Sequence, residues 1–152
     1  MKAKRAIDTI KKGFTLIEVL LSIAIIALLA GFSAPFYQSF QVKNDMDVTI
    51  AMWVNTLRRG QILSQSVDND DNWAVRIENE KITLFKGDSY EKREPDYDEI
   101  IPIPGSITPS ELKEIVFLKP YGFPREAGST QLTSSINEVR NITINPKGTI
   151  DF

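Results

Sequence analysis

An uncharged run at residues 19–36 constrains this chain more than any other feature, because it reads VLLSIAIIALLAGFSAPF for 18 residues. About 20 apolar residues cross a bilayer as a helix. Residues 1–13 carry five basic side chains against one acidic side chain, so the positive-inside rule predicts a cytoplasmic N-terminus. The other 139 residues carry thirteen basic and nineteen acidic side chains, and we expect them outside the cytoplasm.

Three interpretations of this N-terminal segment remain open on composition alone. It has the basic and apolar regions of a cleaved signal peptide. It also fits a plain single-span anchor. The third interpretation has to explain Glu18, because a carboxylate within a membrane helix costs about 2.5–3.5 kcal/mol and usually serves a function. A position near the interface would lower that cost.

The chain has no cysteine and no histidine. This composition excludes a disulfide framework, a Cys/His zinc site, and nucleophiles activated by an imidazole base. The remaining carboxylates, serines, tyrosines and lysines show no catalytic spacing. We therefore expect a protein that is not an enzyme and that uses no cofactor.

Residues 11–20 read KKGFTLIEVL, which closely resembles the leader junction of type IV pilins and type II secretion pseudopilins. The resemblance implies that a prepilin peptidase cleaves after Gly13 and methylates the new amino group of Phe14. It also implies that Glu18 meets the terminal amine of a neighbouring subunit during filament entry. The helix-bending proline of the family corresponds to Pro35.

The chemistry of these residues agrees with the resemblance. Gly13 has no Cβ, so a protease can approach its backbone closely. Glu18 near the first helical turn also suits the positive end of the helix dipole, which is the simpler alternative to pairing with an amine. Pro35 removes one intrahelical hydrogen bond, and Gly31 weakens the same turn, so a kink or local melting is predicted there.

Beyond Pro35 the helical pattern becomes amphipathic, with Met46, Trp53 and Leu57 among the apolar residues at three- and four-residue spacing. It should end near Val67. The predicted organisation is therefore a leader at 1–13, a transmembrane and assembly helix at 14–36, an amphipathic stem helix at 37–67, and a β-rich extracytoplasmic head at 68–152.

The head sequence predicts an antiparallel sheet or sandwich, so the predicted fold class is α+β. Alternation and turn residues predict strands at 73–78, 81–85, 100–103, 114–119, 131–133, 140–145 and 149–152. Residues 86–99 are mostly charged and are predicted to form a solvated loop. The spacing Thr108-Pro-Ser-Glu111 predicts the start of a helical turn.

The head also resembles one pilin subgroup, the minor pseudopilin H of type II secretion and the related minor pilin T of type IVa pili. An apolar strand runs into a Pro-x-Gly turn at 115–122, and further alternating segments follow at 131–133, 140–144 and 148–150. The early Trp-x-Val at 73–75 fits as well. An H-like subunit is expected at or near the filament tip.

Two carboxylate groupings in the head are weaker candidates. Residues 68–72 have the alternate acidic spacing of calcium loops but lack the glycine and the well-placed glutamate of such loops, so no metal site is predicted. Asp96, Asp98 and Glu99 are expected to be solvated charges. Some minor pilins of this superfamily bind DNA, but the acidic mature chain disfavours non-specific DNA binding. A local basic patch around Lys119, Arg125, Arg140 and Lys147 stays open as an alternative to scattered solubilising charge.

The predicted function is that of a structural minor pilin or pseudopilin. Its expected partners are prepilin peptidase, other pilin or pseudopilin subunits, the inner-membrane assembly platform, and membrane lipid before assembly. The expected location is the cytoplasmic membrane as a single-pass protein, and then the filament. The alternative is a major or competence pilin whose head binds a ligand such as DNA or a surface.

Overall fold

The structure is a computed structural model that describes residues 13–152, without the side chains of residues 32–36. Helix α1 begins at Leu16 and ends at Gln65. The chain divides into two compact units, Met1–Gln38 and Ser39–Phe152, and α1 contributes residues to both. The predicted leader lies outside the described residues, except for Gly13.

The described part of the first unit is almost entirely helical, and its helix leaves apolar side chains uncovered. Ten large aliphatic side chains between Leu16 and Leu29 are 45–82% exposed. No helix in the described part of the chain combines the length and the apolar content that a bilayer crossing needs. Residues 31–36 belong to the helix. The predicted kink at Pro35 lies where the structure does not describe the side chains.

Nine strands follow α1 in the second unit, and they form two antiparallel sheets. The first sheet has the order β3-β2-β1-β5-β6, and the second has the order β4-β7-β8-β9. The strands are β1 Trp73–Glu78, β2 Lys81–Lys86, β3 Glu99–Pro102, β4 Ile107–Glu111, β5 Glu114–Leu118, β6 Phe123–Pro124, β7 Gly128–Ser134, β8 Val139–Ile144 and β9 Ile150–Asp151. A helix followed by antiparallel sheets confirms the predicted α+β class.

The core of the second unit lies between α1 and both sheets. Met46, Trp53 and Leu57 are fully buried in one cluster with residues of both sheets. Gly60 allows close packing, because a Cβ at this position would lie 3.0 Å from a methyl group of Val75. The apolar stripe predicted for the amphipathic helix is thus the surface that packs on the head.

Several predicted strands are confirmed. β1 has the predicted bounds, and β2 extends the prediction by one residue. Glu80 adopts a φ of 66° in the predicted tight connection between them. Gly148 has a φ of 84° in the predicted turn before β9, and its N–H donates to the Asn145 carbonyl at 2.9 Å.

The helical turn predicted at Thr108 is wrong, because this segment is strand β4 at the edge of the second sheet. Its burial alternates, with Ile107 and Pro109 facing the core. The Leu112 N–H donates to the Ser129 carbonyl of β7 at 3.1 Å. Backbone N–H groups point toward the neighbouring strand at every second residue of an antiparallel pair, and Pro109 is three residues before Leu112. The Pro109 nitrogen therefore points away from β7. Proline is tolerated there because an outward-facing nitrogen needs no strand partner.

The prediction that residues 86–99 form a solvated loop is also partly wrong. It contains two single-turn 3₁₀ helices, Tyr90–Lys92 and Pro95–Tyr97. The Tyr90 ring packs edge-on against Phe85 with centroids 5.5 Å apart. Phe85 belongs to a second apolar cluster that Tyr90 partly covers, so this loop folds onto the first sheet to keep water from apolar side chains.

Candidate processing and assembly site

Gly13, Phe14 and Thr15 precede the helix and are not helical themselves. A Cβ at Gly13 would meet no atom within 4 Å among the described residues. The Phe14 side chain is 83% exposed. The Gly13–Phe14 peptide bond therefore lies in open, irregular backbone immediately before a regular helix, where a protease could bind it in an extended form.

Thr15 and Glu18 cap the first turn of the helix in both directions. The Glu18 N–H donates to the Thr15 Oγ1 at 3.3 Å, and the Thr15 N–H donates to the Glu18 Oε2 at 3.3 Å. The Thr15 hydroxyl also donates to Oε2 at 3.4 Å. These contacts form a capping box, in which two N–H groups without helical partners are satisfied reciprocally.

The capping box leaves part of the Glu18 carboxylate available. Both bonds from Thr15 reach Oε2, and no bond to Oε1 is found among the described residues. Both are long for hydrogen bonds and lie on an exposed surface, so they hold the side chain only weakly. Glu18 can thus stabilise the helix terminus and still accept a hydrogen bond from a cation outside its own chain.

Thr15 is a site residue that the sequence interpretation of Glu18 missed. The signal was present, because residues 15–18 read TLIE and match the S/T-x-x-E pattern of a capping box. Gly31 is one of the two residues predicted to weaken the helix, and in the described part of the chain an added Cβ there would meet nothing within 4 Å beyond its own helical turn. Pro35 lies outside the described side chains.

The calcium-like spacing at residues 68–72 does not produce a cluster of oxygen ligands. Asp70 forms an ion pair with Lys119 at 2.8 Å, and this ammonium lowers the pKa of the carboxyl. The Asn72 amide instead donates to Asp88 at 2.9 Å, and its carbonyl accepts from the Lys119 backbone N–H. No group of three or more possible acidic metal ligands occurs in the part of the chain that the structure describes.

Two of the three acidic residues at the end of loop 86–99, Asp98 and Glu99, have separate cationic partners. Asp98 pairs with Arg93 at 2.7 Å, and only 10% of its side chain is exposed. Its other oxygen, Oδ1, is buried and has no hydrogen-bond partner among the described residues. Glu99 pairs with Arg59 of α1 at 2.8 Å. Asp98 is thus less solvated than predicted, and these carboxylates do not converge on one site.

Three of the four basic residues considered for DNA binding also form ion pairs. Lys119 contacts Asp70, Arg125 contacts Asp88, and Arg140 contacts Glu138. The amide of Asn72 and the guanidinium of Arg125 together lower the pKa of Asp88. Each of these three cations thus lies beside a carboxylate of its own.

Comparison with known families gives a match at the N-terminal segment described above. Residues 9–34 match the model of the prokaryotic N-terminal methylation motif. Neither the curated proteins nor the solved structures give a match to the chain. The matched segment contains Gly13, Phe14, Thr15 and Glu18, and it supports a type IV pilin-like subunit that prepilin peptidase processes and that assembles with other pilins.

Proposed function

We propose that this chain is a non-catalytic structural subunit of a type IV pilus or of a type II secretion pseudopilus. The observation that carries the proposal is the junction at Gly13, where open backbone meets a capped helix with uncovered apolar side chains. Such a helix requires an apolar environment, because water-exposed aliphatic surface is unfavourable at about 25 cal/mol per Å². Lipid would supply this environment during storage, and neighbouring helices would supply it in the filament.

Under this proposal each residue of the junction has a distinct role. Prepilin peptidase cleaves the Gly13–Phe14 bond and methylates the Phe14 amine. The carboxylate of Glu18 then accepts a hydrogen bond from the terminal amine of a neighbouring subunit, through the oxygen that the capping box leaves available. The charged amine and carboxylate neutralise each other in an apolar surrounding, where an unpaired charge is costly.

The finer assignment is a minor, H-like subunit at or near the filament tip, delivered from the cytoplasmic membrane by the assembly platform. The supporting pattern is the run of alternating strands with a Pro-x-Gly turn, which here joins β5 to β6. Subunit stoichiometry in purified filaments tests this assignment. A minor subunit should be scarce relative to the main subunit, whereas an equal or greater amount would contradict it.

Variants at Gly13 and Glu18 test the two steps separately. We expect Gly13→Ala to retain its leader, because the peptidase loses close access to the backbone. We expect Glu18→Gln to lose its leader normally but to fail to enter filaments. Glutamine can replace glutamate in a capping box, so this change removes the charge and keeps the cap.

Thr15→Ala is the matched control for Glu18→Gln, because it removes the cap and keeps the charge. If Glu18 pairs with an amine, Thr15→Ala should still assemble. If Glu18 only caps its own helix, Thr15→Ala should fail and Glu18→Gln should assemble. Leader removal is followed by the shift in apparent mass, and assembly by the amount of subunit in sheared filaments.

A further inference from the structure

Thr15 occupies the position at which α1 begins. The Val19 N–H donates to the Thr15 carbonyl at 3.2 Å, which is an i to i−4 bond of the kind that starts a helix. Thr15 itself is not helical, and α1 begins at the next residue, Leu16. A non-helical residue whose carbonyl accepts a helical bond is an N-cap, and the capping box with Glu18 has the same register.

The peptide bond proposed for cleavage lies immediately before this N-cap. Gly13 and Phe14, which form the bond, directly precede Thr15, and all three residues are outside the helix. A helix that began one turn earlier would include the bond, and its N–H and C=O groups would then bond along the helix. An enzyme that binds the main chain in extended form needs those groups free. The start of α1 therefore decides whether the Gly13–Phe14 bond is accessible.

Residue propensities alone do not stop a helix at this position. Lys11 and Lys12 are good helix formers, and Phe14 is acceptable within a helix. Gly13 disfavours helix, but a single glycine inside a helical segment is tolerated. The capping box is thus an interaction that favours a helix start after Thr15 over a start before Gly13.

An apolar environment increases the influence of the cap. The first turn of a helix has N–H groups without helical partners, and in lipid no water replaces a missing partner. The Thr15 Oγ1 and the Glu18 Oε2 each accept from one of these N–H groups at 3.3 Å. If the hydroxyl were removed, the nearest remaining acceptors would be the carbonyls of residues 11–14, one turn earlier. Bonding to that turn would place the Gly13–Phe14 bond inside the helix.

We propose that Thr15 is a positioning residue for leader removal, because its hydroxyl caps α1 and so keeps the Gly13–Phe14 bond outside the helix. This inference rests on the proposed function and adds the residue that makes the cleaved bond available. Thr15 acts through the conformation of its two preceding neighbours. Loss of the cap lowers the fraction of precursor that the peptidase can bind, which raises KM and leaves kcat unchanged.

The test measures initial rates of leader removal from the full-length precursor by prepilin peptidase in mixed micelles of phospholipid and detergent, over a range of precursor concentrations. Thr15→Val keeps the branched shape of the side chain and removes the hydroxyl. We expect its KM to rise about fivefold, the typical effect of a lost N-cap, at an unchanged kcat. Thr15→Ser and Thr15→Asn both keep a capping side chain and should have the KM of the wild type.

The asparagine variant separates capping from direct recognition of the threonine side chain by the peptidase. Direct recognition would raise the KM of Thr15→Asn as it does that of Thr15→Val, whereas capping would not. Carbon chemical shifts of labelled Gly13 and Phe14 in the same micelles report the backbone conformation without the peptidase. They should be non-helical in the wild type and in Thr15→Asn, and helical in part in Thr15→Val. Thr15→Ala should be cleaved as slowly as Thr15→Val, and its cleaved subunits should still assemble.

The failure of this inference is distinct from the failure of the proposed function. A wild-type precursor that is not cleaved at the Gly13–Phe14 bond would overturn the proposed function. If the wild type is cleaved there, an unchanged KM for Thr15→Val, a raised KM for Thr15→Asn, or non-helical shifts in Thr15→Val would each overturn the role of the cap alone. A lower kcat at an unchanged KM would also overturn it, because that result would assign Thr15 to the chemical step.

Discussion

The side-chain amide of Gln61 donates to the carbonyl oxygen of Gly122 at 3.1 Å, which joins the last turns of α1 to the turn after β5. Gly122 has a φ of 66°, and a Cβ there would lie 2.6 Å from the Gln65 Cγ. Gly148 contacts the same glutamine, since a Cβ at Gly148 would lie 2.3 Å from the Gln61 Nε2. Two turns of the head thus fit around one glutamine of the helix.

Gly122→Ala should destabilise the head by about 2–4 kcal/mol, because alanine disfavours the left-handed conformation and its methyl group overlaps Gln65. Urea unfolding followed by tryptophan fluorescence measures this change, since Trp53 and Trp73 are both buried in the head core. Gly31→Ala is the matched control, because among the described residues an added methyl group meets nothing within 4 Å beyond its own helical turn. Equal unfolding midpoints for the two variants would contradict the proposed fit around Gln61.

Ser64→Ala should cost about 1–3 kcal/mol, because one buried hydroxyl satisfies two backbone groups. The Ser64 Oγ accepts from the Trp73 N–H at 3.0 Å and donates to the Phe117 carbonyl at 3.0 Å, so it joins α1 to β1 and β5. Ser66→Ala removes an exposed hydroxyl whose hydrogen bond, among the described residues, goes to the Leu63 carbonyl at the helix end, and it should change stability little. Thermal unfolding of both variants measures the difference. Similar unfolding midpoints would argue against a stabilising contact from the Ser64 hydroxyl to β1 and β5.

Stability should fall below about pH 4, because Asp88 has a lowered pKa in the folded protein. Its usual value is 3.8, so the stabilisation is present above that pH and is lost as the pH falls through the lower folded value. Asp88→Asn should therefore be less stable than the wild type at pH 6, and the two should converge in acid. Asp96→Asn is the control, because it makes the same charge change at an exposed carboxylate for which no ion pair is found among the described residues. A stability difference between Asp88→Asn and the wild type that stays constant down to pH 2 would contradict this explanation.

Tyr90→Ala should release the loop at residues 86–99 from the first sheet. The ring packs on Phe85, and the Arg93 guanidinium lies 3.9 Å from its centroid. Aromatic and cation–π contacts of this kind contribute about 0.5–1.5 kcal/mol each, so trypsin should cleave faster after Lys92 and Arg93. Tyr121→Ala removes a ring that is 68% exposed and serves as the control. Unchanged cleavage in Tyr90→Ala would show that other contacts hold the loop.

The predictable parts of the fold were those in which local pattern and tertiary packing agree. Strand β1 alternates toward the core and ends at a tight connection, so its bounds follow from sequence. The segment Thr108–Glu111 carries the local spacing of a helix start, but burial of Ile107 and pairing with β7 override it. The fold of loop 86–99 depends on Tyr90 reaching Phe85, and no local pattern encodes that contact.

In the candidate site, too, some features follow from the local sequence pattern and one was overlooked. Gly13, Phe14 and Glu18 could be proposed from the sequence, because their spacing forms a specific motif that lies within the matched segment 9–34. The cap between Thr15 and Glu18 is a local pattern too, but the sequence interpretation considered only the charge of Glu18.

Processing at the Gly13–Phe14 bond before assembly can be read from the N-terminus of the protein. Intact-mass and N-terminal peptide spectrometry of the subunit, purified from cells that contain prepilin peptidase, measures it. We expect a mature protein that begins at Phe14 with one added methyl group on its amine, and an unprocessed chain when the peptidase is removed. A protein that still begins at Met1, or that is cleaved at another bond in both strains, would contradict the proposed processing.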